Sequence, residues 1–217
     1  MRFLITAGPT REHFDPVRFL SNPSTGKMGF ALAEVARRYS PDVSLINGPT
    51  HLKPPRGVRS IAVVSARDMF AAVKRAARSA DIIIQSAAVS DYRPARASAR
   101  KQKKTNAALR IALVPNPDIA VWVGKHKRRG QVLVGFAAET HDLLRFAKGK
   151  LERKNLDLIV ANDVSARDAG FAADTNRVIL LWRDGKMERL PKAGKRQVAR
   201  WILNRIVRYA EMVHKKV

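Results

Sequence analysis

The sequence predicts an α/β fold: a doubly wound, mainly parallel, Rossmann-like sheet with helices on both faces, plus a flap and a small β-hairpin extension. Short apolar runs alternate with stretches whose apolar residues recur every three or four positions, through most of the 217 residues. The run Ile82-Ile83-Ile84 is unbroken, as suits a strand covered on both sides. Several runs end in Gly, Pro, Ala or Asn, the small and turn-forming residues expected at strand ends. At this length a single domain over residues 1–217 is expected, and 46% hydrophobic residues suffice for its core.

Arg2 to Thr6 reads as the first strand. Ala7-Gly8-Pro9-Thr10 closes it with a tight turn, at the edge where ligands of open α/β sheets bind. Thr10 to Leu20 reads as a polar loop holding Arg11, Glu12, Asp15 and Arg18. The stretch Ser21-Asn22-Pro23-Ser24-Thr25-Gly26-Lys27-Met28-Gly29 then runs into a helix from about Gly26 to Tyr39. Met28, Leu32, Val35, Ala36 and Tyr39 share one face of that helix. Such a loop offers unpaired N–H groups and a positive helix end, a ready site for phosphate. It equally fits a Ser or Thr N-cap with a tolerated glycine.

Val43 to Ile46 and Val58 to Val64 read as strands, and Ala66 to Arg78 as a helix with Met69, Phe70, Val73 and Ala77 on one face. Asp81 to Gln85 is the next strand. It opens into Ser86-Ala87-Ala88-Val89-Ser90-Asp91-Tyr92-Arg93-Pro94, whose small residues let a ligand approach the backbone. Asp91 stands just past the strand end. There a carboxylate can hold a metal or a hydroxyl, or serve as a cap or turn residue. Pro94 to Ala107 has no apolar periodicity and reads as a mobile basic segment holding Lys101-Gln102-Lys103-Lys104. By composition this is a solvated loop.

Leu109 to Val114 alternates as a further strand. Asn116 suits the cap and Pro117 the first turn of the helix that follows, so Asn116-Pro117-Asp118-Ile119 has a complete structural explanation. Val132 to Phe136 is a strand that ends in Gly135-Phe136-Ala137-Ala138-Glu139-Thr140. His141 to Lys154 is a helix, and Leu156 to Val160 a strand that ends in Ala161-Asn162-Asp163. Val178 to Trp182 and Met187 to Leu190 flank Arg183-Asp184-Gly185-Lys186, an Asp-Gly hairpin signal. The last helix runs from about Lys195 to His214 and buries Val198, Trp201, Ile202, Ile206, Tyr209 and Val213.

Forty-two Lys and Arg oppose 18 Asp and Glu, a formal charge of +24. Such an excess suits nucleic acid, an acidic membrane surface or phosphorylated small molecules as partners; it also suits a solvated basic surface. The basic residues are not interleaved with aromatics as on a single-strand binding platform. No stretch approaches the roughly 20 apolar residues that span a bilayer, and the first apolar run is too short for a signal peptide. A soluble, cytoplasmic protein is expected. The absence of cysteine excludes disulfides and thiol catalysis. The five His are scattered without metal-ligand spacing, and no Ser-His-Asp arrangement is present. No Gly-x-Gly-x-x-Gly follows the first strand. Gly26-Lys27 is not a Walker loop either, because Met28 stands where Ser or Thr is required. What remains is small residues, Asn, a few Asp and many Lys at strand ends. That inventory suits positioning and charge neutralisation in phosphate chemistry. A basic nucleic-acid-binding α/β domain is the alternative.

Taken together, these loops resemble phosphopantothenate–cysteine ligase, also called phosphopantothenoylcysteine synthetase, over nearly the whole chain. The resemblance rests on Ile5 to Glu12, Asp15 to Asn22, Gly26 to Ala31, Ala87 to Arg93, Lys101 to Lys104, Asn116 to Ile119, Val134 to Thr140, and Lys154 to Asp157 with Ala161 to Val164. It implies a ligase of coenzyme A biosynthesis. In the bacterial type CTP with Mg²⁺ activates the carboxylate of 4′-phosphopantothenate as an acyl-cytidylate, releasing pyrophosphate, and the amine of cysteine then attacks. Eukaryotic members prefer ATP.

The resemblance also implies roles. Asn22 matches the asparagine that holds the activated carboxylate. Arg18 matches an arginine of the second step, and Lys101 a lysine that neutralises developing charge from a mobile flap around residues 94–107. Gly8, Asp91, Lys101, Asn116, Pro117, Asp118, Ile119, Phe136, Lys150 and Lys154 match the nucleotide site. Asn22, Ser24, Gly26, Gly29, Ala87 and Ala88 match the substrate site. Mg²⁺ is expected mainly on the nucleotide phosphates, with Asp91 as a candidate ligand. Pro23, Thr25 and Gln102 depart from the usual pattern. A homodimer is expected, with the flap reaching across it, and a separate flavin-dependent decarboxylase is a candidate partner. Met1 begins at the first strand and there is no cysteine for decarboxylase chemistry, so a stand-alone synthetase or a domain cut from a longer chain is expected.

Overall fold

The computed structural model describes residues 1–104, 106, 108–139, 142–163 and 173–215. Thr105 and Ala107 of the expected flap, Thr140 and Val164 of the loop motifs, and His141 of the expected helix lie outside them.

In chain order the elements begin with β1 (Phe3–Ala7), β2 (Arg11–His13), β3 (Phe19–Ser21), α1 (Lys27–Ala36), β4 (Val43–Asn47), β5 (Arg59–Ala62) and α2 (Ala66–Ala76). There follow β6 (Ile82–Gln85), β7 (Tyr92–Pro94), β8 (Leu113–Pro115), α3 (Ile119–His126), β9 (Val132–Glu139), α4 (Leu143–Arg153) and β10 (Leu158–Asp163). The chain closes with β11 (Thr175–Asn176), β12 (Val178–Trp182), β13 (Met187–Arg189), β14 (Ala193–Gly194) and α5 (Lys195–His214).

Eight strands form one sheet in the order β13-β12-β10-β9-β6-β1-β4-β5. The six from β5 to β10 run parallel, while β12 and β13 add antiparallel as the expected hairpin. Strand order reverses between β1 and β6: the chain winds outward through β4 and β5, then returns to β6 on the other side. In open α/β sheets the crevice at such a reversal receives the ligand. Register carries the two strand ends together. Thr6 pairs with Gln85, and beyond them the Ala88 N–H donates to the Gly8 carbonyl at 2.9 Å.

Side chains alternate across a strand, so the unbroken apolar runs feed two cores. Phe3, Ile5, Ile82, Ile84, Val134 and Val160 pack with α1 and α5. Leu4, Ile83, Leu133 and Ile159 pack with α2, α3 and α4. The α2 start is locked by a capping box in which Ser65 Oγ accepts from the Asp68 N–H at 3.1 Å and Asp68 returns the bond to the Ser65 N–H at 2.9 Å.

Four local expectations are corrected. Thr10 to Leu20 is not a loop throughout: β2 and β3 pair as an antiparallel hairpin with Arg11 opposite Ser21. Buried Glu12 fixes this hairpin, since its Oε1 accepts from the Ala66 N–H at 2.8 Å. Leu109 to Val114 does not enter the main sheet. Only β8 forms there, paired with β7 in a two-stranded ribbon, because β9 occupies the place beside β6. Leu109 and Leu113 are exposed, so their alternation marks no buried face. Asn116 is not the α3 cap; that cap is Asp118, whose Oδ1 accepts from the Val121 N–H at 3.0 Å. Finally, α1 ends at Ala36, and Tyr39 lies exposed beyond it.

Candidate active site

Two clefts open at the carboxyl edge of the sheet, one on each side of the strand ends. The first, of about 390 Å³, is lined from the 22–29 stretch, the 86–91 loop, Phe136, Ala137, Lys150, Asn162, Asn176 and Lys195. The second, of about 470 Å³, is lined from the 89–92 loop, residues 115–120, Phe136, Lys150, Arg153 and Lys154. Ala87, Val89, Asp91, Phe136 and Lys150 line both and form the common wall.

The first cleft is built around the start of α1. Its N-cap is Gly26, at φ 78°, and among the described residues no side chain makes a capping hydrogen bond there, so glycine takes the place of the Ser or Thr cap allowed by the sequence. The Gly26 turn packs against Gly8, itself at φ 76°, where L side chains are strained. A Cβ on Gly29 would stand 2.4 Å from Ala7 Cβ and 2.6 Å from Ser86 Oγ, so Gly29 lets α1 rest on the ends of β1 and β6. Asn22 follows directly on β3. Its Nδ2 donates to the Ala88 carbonyl at 3.0 Å, which sets the amide on the cleft wall. The hairpin behind it is pinned by Ser21 Oγ, donating to the Thr10 carbonyl at 2.7 Å, and by Thr10 Oγ1, accepting from the Ser90 N–H at 3.0 Å.

In the second cleft Asn116 ties two loops together. Its Nδ2 donates to the Ser90 carbonyl at 2.9 Å, and its own N–H to the Asp91 carbonyl at 2.7 Å. Asp118 pairs with Lys154 at 2.9 Å. Burial pushes the Asp118 carboxyl up. The Val121 N–H and the Lys154 ammonium outweigh burial and hold its pKa below the usual carboxylate value.

The structure thus brings together Asn22, Ser24, Gly26, Gly29, Ala87, Ala88, Asp91, Phe136 and Lys150 at the first cleft. Asp91, Asn116, Pro117, Asp118, Ile119, Phe136, Lys150 and Lys154 line the second. Three expected site residues lie outside both linings. Gly8 supports the turn from behind. Arg18 pairs with Asp15 at 2.6 Å, and Lys101 is exposed. The sequence reading missed Lys27, Asn162, Asn176 and Lys195 of the first cleft, and Gln85 and Arg153 of the second.

A signal for two of these was present. Lys27 and Lys195 are each the first residue of a helix, where the macrodipole disfavours a cation. Burial lowers the pKa of Lys195, the nearby Lys27 lowers it further, and Asp174 partly offsets them. Lys27 itself is held by Asp174 at 2.5 Å. Among the described residues, Asn162 Oδ1 and Gln85 Nε2 are buried without a hydrogen-bond partner.

Among the described residues no group of three or more His, Cys, Asp or Glu could hold a metal ion. Among the described residues Asp91 is the one carboxylate that lines both clefts, a position from which it could touch a cation carried on ligand phosphates.

Residues 1–209 match the family model of the DNA/pantothenate metabolism flavoprotein C-terminal domain. The coenzyme A biosynthesis bifunctional protein CoaBC of Vibrio cholerae is 47% identical over 207 residues, covering 94% of this chain and 52% of that protein. Its counterpart in Bacillus subtilis is 48% identical over 204 residues, covering 94% and 50%. The chain therefore spans about half the length of the curated relatives it matches. The crystal structure of the C-terminal domain of a CoaBC protein superposes with a TM-score of 0.82 at 44% identity, covering 97% of each chain. The chain belongs to the DNA/pantothenate metabolism flavoprotein C-terminal domain family.

Proposed function

We propose that this chain joins 4′-phosphopantothenate to cysteine with CTP as activator, in coenzyme A biosynthesis in the cytoplasm. The observation that carries the reading is the shared wall: two clefts of ligand size meet at Ala87, Val89, Asp91, Phe136 and Lys150. Two substrates seated one in each cleft would have their reacting ends meet there. The names of the relatives, coenzyme A biosynthesis bifunctional proteins, support the pathway. Those relatives are single bifunctional chains, so they lend no support to a separate decarboxylase partner.

In this reading the nucleotide occupies the second cleft, with Asn116 holding the 90–91 loop and the 115–118 loop in one frame. Phosphopantothenate occupies the first, with its phosphate toward the uncapped start of α1, Lys27 and Lys195. A carboxylate oxygen attacks the α-phosphorus and pyrophosphate leaves. Asn22, already fixed by Ala88, donates its remaining amide hydrogen to the activated carboxyl without adding charge. The cysteine nitrogen then attacks the acyl carbon, CMP departs with the electrons of the broken C–O bond, and the amine proton passes to solvent. Bound Mg²⁺, with Asp91 as its protein ligand, would supply charge neutralisation on the phosphates. Two copies of the chain form the working unit.

The test is pyrophosphate release with 4′-phosphopantothenate, cysteine and Mg²⁺, comparing CTP with ATP. Release with CTP is expected, and Asn22→Asp is expected to lower it by roughly 100-fold, the scale of losing one well-placed donor. Release with ATP alone keeps the ligase and reverses the nucleotide. No release with either overturns the reading.

A further inference from the structure

We infer that Asp15 and Arg18 form a clamp that positions the flap bearing Lys101, and that both act through the flap without touching substrate. The flap leaves the β7–β8 ribbon, closed at its base where the Ala95 N–H donates to the Ala112 carbonyl at 2.9 Å. It then folds onto the tip of the β2–β3 hairpin. The Ser98 N–H donates to the Phe14 carbonyl at 2.9 Å, and the Gln102 N–H to Asp15 Oδ2 at 3.3 Å. Arg18 Nη2 donates to the Gln102 carbonyl at 2.8 Å. Both polar groups of the Gln102 backbone are therefore held, one by each member of an ion pair.

The pair is itself over-determined. Asp15 is 1% exposed. Its Oδ1 accepts from the Val17 N–H at 2.8 Å and the Arg18 N–H at 2.7 Å. Its Oδ2 accepts from Arg18 Nε at 2.9 Å and Nη2 at 2.6 Å. Arg18 also lies over the Phe14 ring, 5.1 Å from its centroid. A guanidinium committed to a buried carboxylate and a flap carbonyl, outside the lining of either cleft, is a positioning group. What it positions is the residue next to Gln102, which is Lys101. The same hairpin delivers Asn22 to the first cleft. The clamp thus places the Lys101 segment and the Asn22 segment on one rigid piece.

The half of this inference that concerns Lys101 chemistry rests on the proposed function; the clamp does not. The test uses the full chain and four substitutions. Asp15→Asn breaks the clamp from the hairpin. Gln102→Pro removes the held N–H from the flap side and leaves the hairpin intact, so it serves if Asp15→Asn fails to fold. Gln102→Ala keeps the backbone and is the control. Lys101→Ala removes the positioned group.

Tryptic cleavage after Arg100 and Lys103 is expected to accelerate at least roughly tenfold in Asp15→Asn and Gln102→Pro, and to stay at the wild-type rate in Gln102→Ala. Unchanged cleavage in both clamp variants overturns the inference, whatever the substrate proves to be. In product formation from cysteine, Asp15→Asn and Gln102→Pro are expected to lower kcat by roughly 10- to 100-fold with nucleotide KM unchanged. Combined with Lys101→Ala, either is expected to cost no more than Lys101→Ala alone. Losses that multiply instead would mean Asp15 acts by another route and would overturn the positioning role. If no nucleotide supports turnover, the functional reading fails and the cleavage rates still decide the clamp.

Discussion

Asp15 carries opposing pressures on one carboxyl group. Burial alone would raise its pKa. The guanidinium of Arg18 and the N–H groups of Val17, Arg18 and Gln102 outweigh burial, and the pKa lies well below the usual carboxylate value. A depressed folded-state pKa gives stability that is fully present above the unfolded value, about 3.9, and lost as pH falls toward the folded value. Asp15→Asn removes that contribution at every pH. The Tm gap between wild type and Asp15→Asn is therefore expected to hold steady from pH 7 to about 5 and to narrow below about 4. Thermal melts at pH 7 and pH 3 measure it; a gap as wide at pH 3 would show that charge is not what the site supplies. Single residues were the least legible scale. Asn116 reads in sequence as a helix cap, yet Asp118 two positions on takes that role and frees Asn116 to bridge two loops. Either side chain can cap, and only the backbone path chooses. Arg18 and Lys101 belong together in the structure although 83 positions apart, through bonds to the backbone of Gln102 that no side-chain pattern encodes.

At the scale of elements the helices and parallel strands were legible, because their signal is local. Ile82 to Ile84 alternates between two buried faces, and α5 follows its expected bounds. The β2–β3 hairpin was not legible. Its strands are only three residues each and carry no shared apolar alternation, and what holds them is distant: Glu12 on the start of α2 and Thr10 on the 90 loop. The packing of α1 shows why an element can be read correctly and its placement missed. The sequence marks the helix, while Gly29 decides how near the sheet it lies. Alanine there would ordinarily favour a helix by about 1 kcal/mol. Here its Cβ would meet Ala7 Cβ at 2.4 Å, on a strand that cannot yield without shifting the sheet. Overpacking of this kind costs about 1–3 kcal/mol. Gly29→Ala is therefore expected to lower Tm by several degrees and, on the proposed function, by lifting α1, to raise the KM for 4′-phosphopantothenate more than that for the nucleotide. Calorimetry with steady-state kinetics measures both. An unchanged Tm would show that the sheet accommodates the methyl group.

At the scale of the whole molecule the charge of +24 was legible from composition, and its destination was not. Charge belongs to the surface as a whole, and sequence does not say which lysines converge. In the structure Lys27, Lys150 and Lys195 line the first cleft, and Lys150, Arg153 and Lys154 the second. The remainder is spread over helices, strands and loops. Among the described residues no helix is long and apolar enough to cross a membrane. Clefts whose linings are net positive, within a surface of the same sign, focus the field and raise the capture rate of multiply charged anions. Such capture must weaken as salt screens it, the Debye length falling from about 30 Å at 0.01 M to about 8 Å at 0.15 M. On the proposed function, kcat/KM for 4′-phosphopantothenate is therefore expected to fall several-fold across that range, with kcat nearly constant because bound substrate is screened far less. A flat kcat/KM would make the excess a solvated surface with no part in capture. A parallel fall in kcat would place the salt effect on the fold or the chemical step. Titration with duplex DNA over the same range separates the remaining reading. A steep salt slope with high affinity, beside an inert ligase assay, would move the charge from substrate capture to nucleic acid.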